Sequence, residues 1–324
     1  YAFGDHHIYK LNAHNGALIW RSAYYSNSSN VPAITHAFNY NSNNLLFIYN
    51  EASSINSIHV VRMDKSTGNM VDSVELYGYL PDVRLASDTL GNIFISTLDG
   101  YYKKLSAQNM HTVLFSDTII ATNNSPTNQI SHLYVDSVNQ LFTFYNTSTG
   151  IQINKRNPTN GDTLWQQFLP FNYTNPYLSL TFHQLKDVNG FLYVAYEQGG
   201  TGSGYWPLVI QKINKATGQV VWLSLIEPSG FDDEYDESSI LSMDMDSHND
   251  IYLSAYSGTG NYEGQFDVIK IDDLTGNEIF NNKIDLDSVP DKLSSGKAMA
   301  IINDVPYAMG ILETNDKIDL TSPF

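Results

Sequence analysis

One short pattern occurs six times along this chain of 324 residues. In each copy a basic residue lies six positions before a turn, and an aliphatic residue lies three positions after it. The turns centre on Gly16, Gly68, Met110, Gly161, Gly218 and Gly276. The basic residues are Lys10, Arg62, Lys104, Lys155, Lys212 and Lys270, and the aliphatic ones are Ile19, Val71, Val113, Leu164, Val221 and Ile279. A period of about 40 to 60 residues is typical of repeat architectures, in which each unit buries its apolar face against its neighbours.

A second signature alternates with the first, and consists of a short polar turn that leads into an apolar run. Its copies begin at Asn41, Asp88, Asp136, Asp187 and Asp246, with a degenerate sixth copy at Asn303 and Asp304. Asp and Asn side chains bond to backbone amides two residues on, and Asn or Gly accepts a positive φ, so these segments are predicted hairpin turns. Together the two signatures predict a repeated order of strand A, Asp/Asn turn, strand B, a longer loop, strand C with the basic residue, the glycine turn and strand D.

The runs between these turns have the length and composition of strands, and none has the apolar period of a helix. Strand C is apolar on both faces, as in residues 208–213, which predicts sheets that are covered on both sides. We therefore predict an all-β single domain over residues 1–324, folded as a β-propeller of four-stranded antiparallel blades.

The number of blades depends on how the ends of the chain are assigned. Five complete units are predicted at about residues 34–75, 82–118, 129–169, 179–226 and 239–284. Residues 297–312 and 7–21 are expected to pair as a sixth blade, so that strands from both termini close the ring. Residues 1–4 and 317–320 also have strand composition, and seven blades are therefore the alternative.

Two stretches resemble known repeat families. The runs from Asp187 to Tyr193 (DVNGFLY) and from Gln211 to Trp222 (QKINKATGQVVW) resemble the SBBP-type repeats of secreted bacterial β-propellers, as do residues 246–252 and 266–276. Residues 8–20 (IYKLNAHNGALIW) are similar to PQQ-like propeller repeats. The resemblance implies the fold and a setting outside the cytoplasm. It does not imply the PQQ cofactor, because that family has a larger propeller and a vicinal cysteine pair and this chain has no cysteine.

Composition narrows the classes of partner. A net charge of −17 argues against nucleic acid and against an anionic membrane surface as partners, since both attract clustered Lys and Arg.

The absence of cysteine excludes disulfides and thiol catalysis. No apolar run is long enough to cross a bilayer. Only 16% of residues are charged while Asn, Ser, Thr and Tyr abound, which predicts a secreted, extracellular or cell-envelope protein.

The six recurring cations allow two interpretations. They could ring a central channel and bind an anion, or each could lie along its blade and pair with a turn carboxylate such as Asp88, Asp136, Asp187 or Asp246. Residues that recur in every unit are usually structural, and the second interpretation is favoured. The tryptophans that follow the glycine turns are predicted to pack between blades.

Other candidate motifs are weak. The acidic run at residues 232–237 offers Asp232, Asp233 and Asp236 to Ca²⁺, but its spacing is not that of an EF-hand, so we expect a solvated loop, no metal and no cofactor. The glycine-rich run at residues 199–204 lacks the Lys-Ser/Thr of a phosphate loop. Glycosylation triplets begin at Asn27, Asn123, Asn146 and Asn172, about as many as chance supplies.

The loops from B to C and from D to the next A are long, irregular and rich in Tyr, Asn, Gly and Ser, whereas the turns of the opposite face are short. Rigid aromatics beside small polar residues are typical of binding surfaces. The predicted partner-binding residues are Tyr24, Tyr25, Tyr77, Tyr79, Phe171, Tyr173, Tyr177, Tyr205, Trp206, Phe231, Tyr235 and Tyr262.

These observations predict a non-enzymatic propeller that binds a protein or glycan at the cell surface through its long-loop face. One alternative is a polysaccharide hydrolase or lyase that uses carboxylates at the axial pocket, although the sequence offers no carboxylate pair that can be placed there. A second alternative is a structural subunit of a surface filament or of a larger secreted chain, which would include assembly with itself.

Overall fold

The computed structural model describes residues 2–4, 7–23, 33–39, 42–50, 57–77, 83–97, 101–118, 129–147, 150–170, 178–200, 204–205, 208–226, 235–258, 264–284, 293–314 and 317–319. Every helix or strand in these ranges is a β-strand, as the sequence predicts. No helix within them is therefore long and apolar enough to cross a membrane. The chain forms two compact units, Tyr1–Thr147 with Gln152–Leu164 and Ser148–Ile151 with Trp165–Phe324.

The first unit holds three sheets, and the boundary between the units runs through a fourth. Sheet 1 contains β1 (Ala2–Gly4), β2 (His7–Leu11) and β3 (Leu18–Ala23). Sheet 2 contains β4 (Ala33–Asn39), β5 (Asn44–Asn50), β6 (Ser57–Asp64) and β7 (Met70–Tyr77). Sheet 3 contains β8 (Val83–Ser87), β9 (Ile93–Thr97), β10 (Tyr101–Leu105) and β11 (Val113–Thr118). Sheet 4 contains β12 (Gln129–Val135), β13 (Leu141–Thr147), β14 (Gly150–Arg156) and β15 (Thr163–Pro170).

The second unit holds the remaining strands. In chain order these are β16 (Leu178–Val188), β17 (Phe191–Gly200), β18 (Gly204–Tyr205), β19 (Leu208–Asn214), β20 (Val220–Ile226), β21 (Tyr235–Met245), β22 (Ile251–Gly258), β23 (Gly264–Ile271), β24 (Glu278–Ile284), β25 (Leu293–Ile302), β26 (Val305–Thr314) and β27 (Lys317–Asp319). Sheet 5 has the order β16-β17-β19-β20, sheet 6 the order β18-β21-β22-β23-β24, and sheet 7 the order β25-β26-β27.

The predicted four-stranded blade is confirmed by sheets 2 to 5, whose strands follow one another in the order A, B, C, D. The ends of the chain differ from the six-blade assignment. In the described residues, 7–21 and 297–312 belong to two separate sheets rather than to one closing blade. Each end has a third strand of its own, because β1 pairs with β2 (Phe3 opposite Ile8) and β27 pairs with β26 (Ile318 opposite Glu313).

The predicted turns that begin at Asp88, Asp136 and Asp246 are confirmed, whereas Asp187 lies within β16 and its carboxylate accepts hydrogen bonds from Lys215, and Asn41 lies outside the described residues. In sheet 6 the Oδ1 atom of Asp246 accepts the backbone N–H of Asp250 at 3.0 Å, and Asn249 has a φ of 68°. The turns that begin at Asp88 and Asp136 repeat both features. The sequence therefore encodes these turns through one side-chain acceptor and one residue that tolerates the left-handed region.

The recurring aliphatic residue after each glycine turn is not a core residue. All six copies are between 49% and 57% exposed. In sheet 1, Trp20 lies opposite Lys10 but Leu18 lies opposite Leu11, which leaves Ile19 as an extra residue on β3. The same register shift leaves out the recurring residue in sheets 2, 5 and 6, whereas in sheet 3 Val113 is paired and the extra residue is Leu114. In sheets 1, 2, 5 and 6 the recurring residue therefore marks a β-bulge on strand D, which lies at the edge of its sheet, and bulges blunt such edges against unwanted pairing.

The core lies between successive sheets. In the first unit, Ile48 and Val60 of sheet 2 pack with Ile95 and Leu105 of sheet 3. In the second unit, the buried residues of sheets 5 and 6 form the corresponding cluster, which includes Ile210 and Ile271. Further clusters join sheets 1 and 2, sheets 3 and 4, and sheets 6 and 7, so sheets 2, 3 and 6 are apolar on both faces, as the composition of strand C predicts.

Asp64, which opens the glycine turn of sheet 2, gives a prediction about pH. Its Oδ1 accepts hydrogen bonds from the hydroxyl and the amide of Ser66 and from those of Thr67, at 2.6 to 3.0 Å. These bonds, led by the Ser66 hydroxyl, lower the pKa of Asp64 to about 2. Because the folded pKa is depressed, the turn is stabilised above the ordinary carboxyl pKa and loses this contribution as the pH falls towards 2.

We expect an NMR titration of the Asp64 carboxyl to show a midpoint near 2, and Ser66→Ala to move it upwards towards the ordinary value of 3.8. A wild-type midpoint at the ordinary value would show that these hydrogen bonds do not form in solution.

Candidate functional site

The predicted binding face lies largely outside the described residues. This holds for Tyr24, Tyr25, Tyr79, Phe171, Tyr173, Tyr177, Trp206, Phe231 and Tyr262. Tyr77 ends β7, Tyr205 ends β18 and Tyr235 begins β21, and only their backbones are described. The binding face therefore stays a prediction.

Strand β18 adds one relevant observation. It pairs in parallel with β21, so that Gly204 lies opposite Tyr235 and Tyr205 lies opposite Asp236. The loop after strand B of sheet 5 is thereby joined to the start of strand A of sheet 6. Two of the predicted loop aromatics, Tyr205 and Tyr235, are brought to neighbouring backbone positions.

The candidate metal and glycosylation positions also fall mostly outside the description. Asp232, Asp233, Asn27, Asn123 and Asn172 are not described, while Asp236 lies in β21 and Asn146 in β13. Within the described ranges, no group of three or more acidic or histidine side chains is placed to hold a metal ion.

The recurring cations are well described, and Lys104 shows the pattern. Its side chain is buried, and its ammonium lies 4.8 Å from the centre of the Phe94 ring. Nζ donates to the carbonyl oxygen of Pro158 in the glycine turn of sheet 4 at 2.8 Å. It also lies 3.1 Å from the Oδ2 atom of Asp88, one of the turn carboxylates predicted as a partner. The cation thus joins its own Asp turn to the glycine turn of the next sheet.

The second unit repeats this arrangement with variations. Lys212 donates to the carbonyl oxygen and to the carboxylate of Asp273, at 3.1 and 2.7 Å, in the glycine turn of sheet 6. Lys270 lies 3.0 Å from the carboxylates of Asp246 and Asp250. Burial alone would lower the pKa of Lys270, but hydrogen bonds to Asp250, Tyr252 and Asp246 outweigh it and raise the pKa.

An indole shares the same acceptor. In sheet 1 the ammonium of Lys10 and the Nε1–H of Trp20 both donate to the carbonyl oxygen of Lys65, at 2.8 and 3.0 Å. In sheet 5, Lys212 and Trp222 share the carbonyl oxygen of Asp273 in the same way. In both pairs the acceptor lies three residues before the glycine at the centre of the turn in the next sheet. We call this contact between successive sheets the inter-sheet clasp.

Glycine is required at the centre of the turn because the aromatic ring of the preceding sheet occupies the space in which the Cβ atom of any other residue would lie. A Cβ atom added to Gly68, Gly218 or Gly276 would lie 2.7 to 2.8 Å from the ring of Trp20, Trp165 or Trp222 respectively. All three glycines also have a positive φ, between 74° and 78°. The prediction that these tryptophans pack between blades is confirmed for the described sheets.

Between sheets 2 and 3 the clasp is built from different residues. Met110 replaces the glycine, and Asp72 replaces the tryptophan. The Oδ2 atom of Asp72 accepts the backbone N–H of Met110 at 3.0 Å, while Arg62 donates to the carbonyl oxygen of Ala107. With no ring to receive, the turn can carry a side chain, and that of Met110 is fully buried in the core. The cation and its carbonyl acceptor persist where the aromatic does not.

Arg156 forms a buried polar cluster that the sequence analysis does not predict. Its guanidinium donates to the hydroxyls of Tyr102, Tyr145 and Thr143 at 3.0 to 3.2 Å, and to the carbonyl oxygen of Gly161 at 3.0 Å. Burial raises the pKa of Tyr102 and of Tyr145, so both phenols stay neutral and accept these bonds.

A signal for Arg156 exists in the sequence. The residue after the recurring cation is aliphatic or Met in the other five copies, as in Leu105 and Ile213. Since hydrogen bonds to protein oxygens occupy the guanidinium of Arg156, the cluster acts as a polar core rather than as a binding or reactive site.

Comparison with known proteins supports the fold. No protein-family model and no curated protein matches this sequence. Among solved structures, the WD40 domain of Neurospora crassa Pan2 matches with a TM-score of 0.55 at 10% identity, over 98% of this chain and 86% of that one. The β-propeller domain of Vanderwaltozyma polyspora Nup133 matches with a TM-score of 0.54 at 13% identity, over 95% and 88%. Quinohemoprotein alcohol dehydrogenase ADHIIG from Pseudomonas putida HK5 matches with a TM-score of 0.53 at 10% identity, over 95% and 62%. At these identities the likeness shows the fold alone, and that fold is the β-propeller.

Neighbouring lysines in β10 provide a matched test of the clasp. Lys104→Met leaves the buried carboxylate of Asp88 without its ammonium and should lower the free energy of unfolding by about 3 kcal/mol or more. Lys103 lies on the opposite face of the same strand and is only half-buried. Lys103→Met should therefore change stability by less than about 0.5 kcal/mol. Urea titration measures both variants.

Equal effects of the two substitutions would contradict the structural role of Lys104. Stabilisation of the wild type by sulfate that disappears in Lys104→Met would instead support the anion-binding interpretation of the recurring cations.

Proposed function

We propose that this chain is an extracellular or cell-surface, non-enzymatic propeller that binds a protein or glycan partner through its long-loop face. The observation that carries the proposal is the pairing of β18 with β21, which joins two of the Tyr-rich loops at one edge of sheets 5 and 6. Variable loops held on a rigid scaffold are where binding function concentrates.

The turns between strands A and B and between strands C and D support the same assignment, in which they are structural and the long loops bind the partner. Their recurring cations, Asp side chains and indoles are engaged in hydrogen bonds within and between sheets, as at Lys104, Lys212 and Trp222. Residues held in this way specify the scaffold, and the loops remain the part of the molecule whose composition is not fixed by the repeat.

The chemistry of the loops defines the partner. Tyr and Trp supply rigid, amphipathic contact area, which suits sugar rings and protein surfaces. A net charge of −17 disfavours nucleic acid and anionic membranes as partners.

We also propose that the repeats are of the SBBP or PQQ-like type found in secreted proteins. The proposal includes no resident cofactor and no Ca²⁺ at residues 232–236. Seven described sheets favour seven blades over six.

Glycan arrays and cross-linking to cell-surface proteins test the proposed face. Tyr173→Ala and Trp206→Ala should each weaken binding about tenfold or more, because aromatic anchors carry most of the energy of such contacts. Leu274→Ala is the matched control, since Leu274 is 81% exposed on the glycine turn of sheet 6 and should leave binding unchanged.

Binding that survives both loop substitutions and falls with Leu274→Ala would place the working surface on the turn side and contradict the proposal. New reducing ends on polysaccharides incubated with the protein would favour the hydrolase or lyase hypothesis instead.

A further inference from the structure

Strand β20, the strand D of sheet 5 in the second unit, is an edge strand with an apolar outer surface. Among the described strands, none pairs with its outer side. Val221, Leu223 and Leu225 alternate along it and are 50%, 43% and 45% exposed. Trp222 and Ile226 lie on the other face and are buried in the cluster that sheet 5 shares with sheet 6. The core therefore fixes one face of the strand, while the other face offers a row of aliphatic side chains to solvent.

The edge of β20 lacks the charges that protect other edges. Natural edge strands carry charged residues or bulges that prevent pairing with another chain. Strand D carries a charged residue in sheets 1, 2, 3 and 6, namely Arg21, Glu75, Asp117 and Lys283. Strand β15 of sheet 4 is uncharged but has Gln166 where β20 has Leu223. The edge of β20 is thus both uncharged and aliphatic.

The bulge of β20 does not protect the edge either. It falls at Val221, at the beginning of the strand, and residues 222–226 pair regularly with β19. Edge strands present backbone N–H and C=O groups along their outer side, and these groups can pair with a further strand. Residues 222–226 therefore form a regular edge on which another strand can add.

The charge of the chain and the order of residues in β20 identify the added strand. A net charge of −17 makes two copies repel each other, so a contact between copies is favoured where the surface has no carboxylates. The edge is also self-complementary. When two copies of residues 222–226 run antiparallel about Ser224, Leu223 of each copy lies opposite Leu225 of the partner subunit. The edge therefore fits a second copy of itself.

We propose that the protein forms a two-fold symmetric dimer in which the β20 strands of two copies pair antiparallel about Ser224. Main-chain hydrogen bonds between the two strands extend sheet 5 across the symmetry axis, which is the β-augmentation mode of association. The leucines of both copies are removed from water on the same face. Because each copy uses the same edge for the contact, assembly closes at two copies.

Sedimentation equilibrium of the full chain over a range of concentrations tests this dimer. We expect a monomer–dimer equilibrium for the wild type. Leu223→Lys should raise the dissociation constant about tenfold or more, which corresponds to about 1.4 kcal/mol, because it gives β20 the edge charge that Arg21 gives β3. Leu114→Lys is the matched control, since Leu114 is a 49% exposed leucine on the edge strand β11 of sheet 3. This control should dimerise like the wild type.

A mixture of two variants tests the register. Leu225→Glu alone should weaken the dimer as Leu223→Lys does. In the mixture, the introduced lysine of one copy lies opposite the introduced glutamate of the other, and opposite charges at such positions stabilise paired strands. The heterodimer should therefore bind about tenfold or more tightly than either variant binds itself.

A wild type that stays monomeric at all concentrations would overturn the proposal and leave β20 to a strand of another protein. Assembly beyond two copies would contradict the closed dimer. Unchanged dimerisation of Leu223→Lys would place the contact elsewhere, and a mixture that recovers no affinity would exclude the antiparallel pairing about Ser224.

Discussion

The fold depends on one repeated interaction, in which an ammonium or guanidinium group and an aromatic ring from one sheet meet at the glycine turn of the next. The carbonyl oxygen that they share, such as that of Lys65 or Asp273, would otherwise have to be solvated. The buried cation is acceptable only because oxygen atoms and aromatic faces surround it, as Asp88 and Phe94 surround Lys104. The interaction therefore fixes the register between neighbouring sheets, and apolar packing then fills the space that it defines.

The interaction also explains why the sequence predicts the fold better than the site. The cation, the glycine and the tryptophan recur at fixed spacing because each has one geometric task, so strands, turns and blades can be read from them. The bulge at Ile19 and the Arg156 cluster could not be predicted in this way. The first depends on the register of two paired strands, and the second depends on Tyr102 and Tyr145, which only the folded chain brings together.

The exception between sheets 2 and 3 separates the essential parts of the interaction from the replaceable ones. Asp72 and Met110 take the places of the ring and the glycine, while Arg62 still donates to the carbonyl of the turn. The long loops have no such constraint, since no residue type recurs in them at fixed spacing. For the same reason their aromatic residues could be proposed as a binding surface from composition, but their arrangement could not be derived from the repeat.

The free energies of unfolding of Gly276→Ala and Gly16→Ala, compared with wild type in urea, show whether the ring packed on the turn glycine holds neighbouring sheets together. The two glycines have φ values of 74° and 70°, so both substitutions carry the same backbone cost of about 1–2 kcal/mol. Only Gly276 faces a ring, with Trp222 at 2.7 Å from the added Cβ. We predict an additional loss of about 1–3 kcal/mol for Gly276→Ala, because the Trp222 ring must move away from its carbonyl acceptor. Equal losses for the two variants would show that the ring on the glycine does not hold the sheets together.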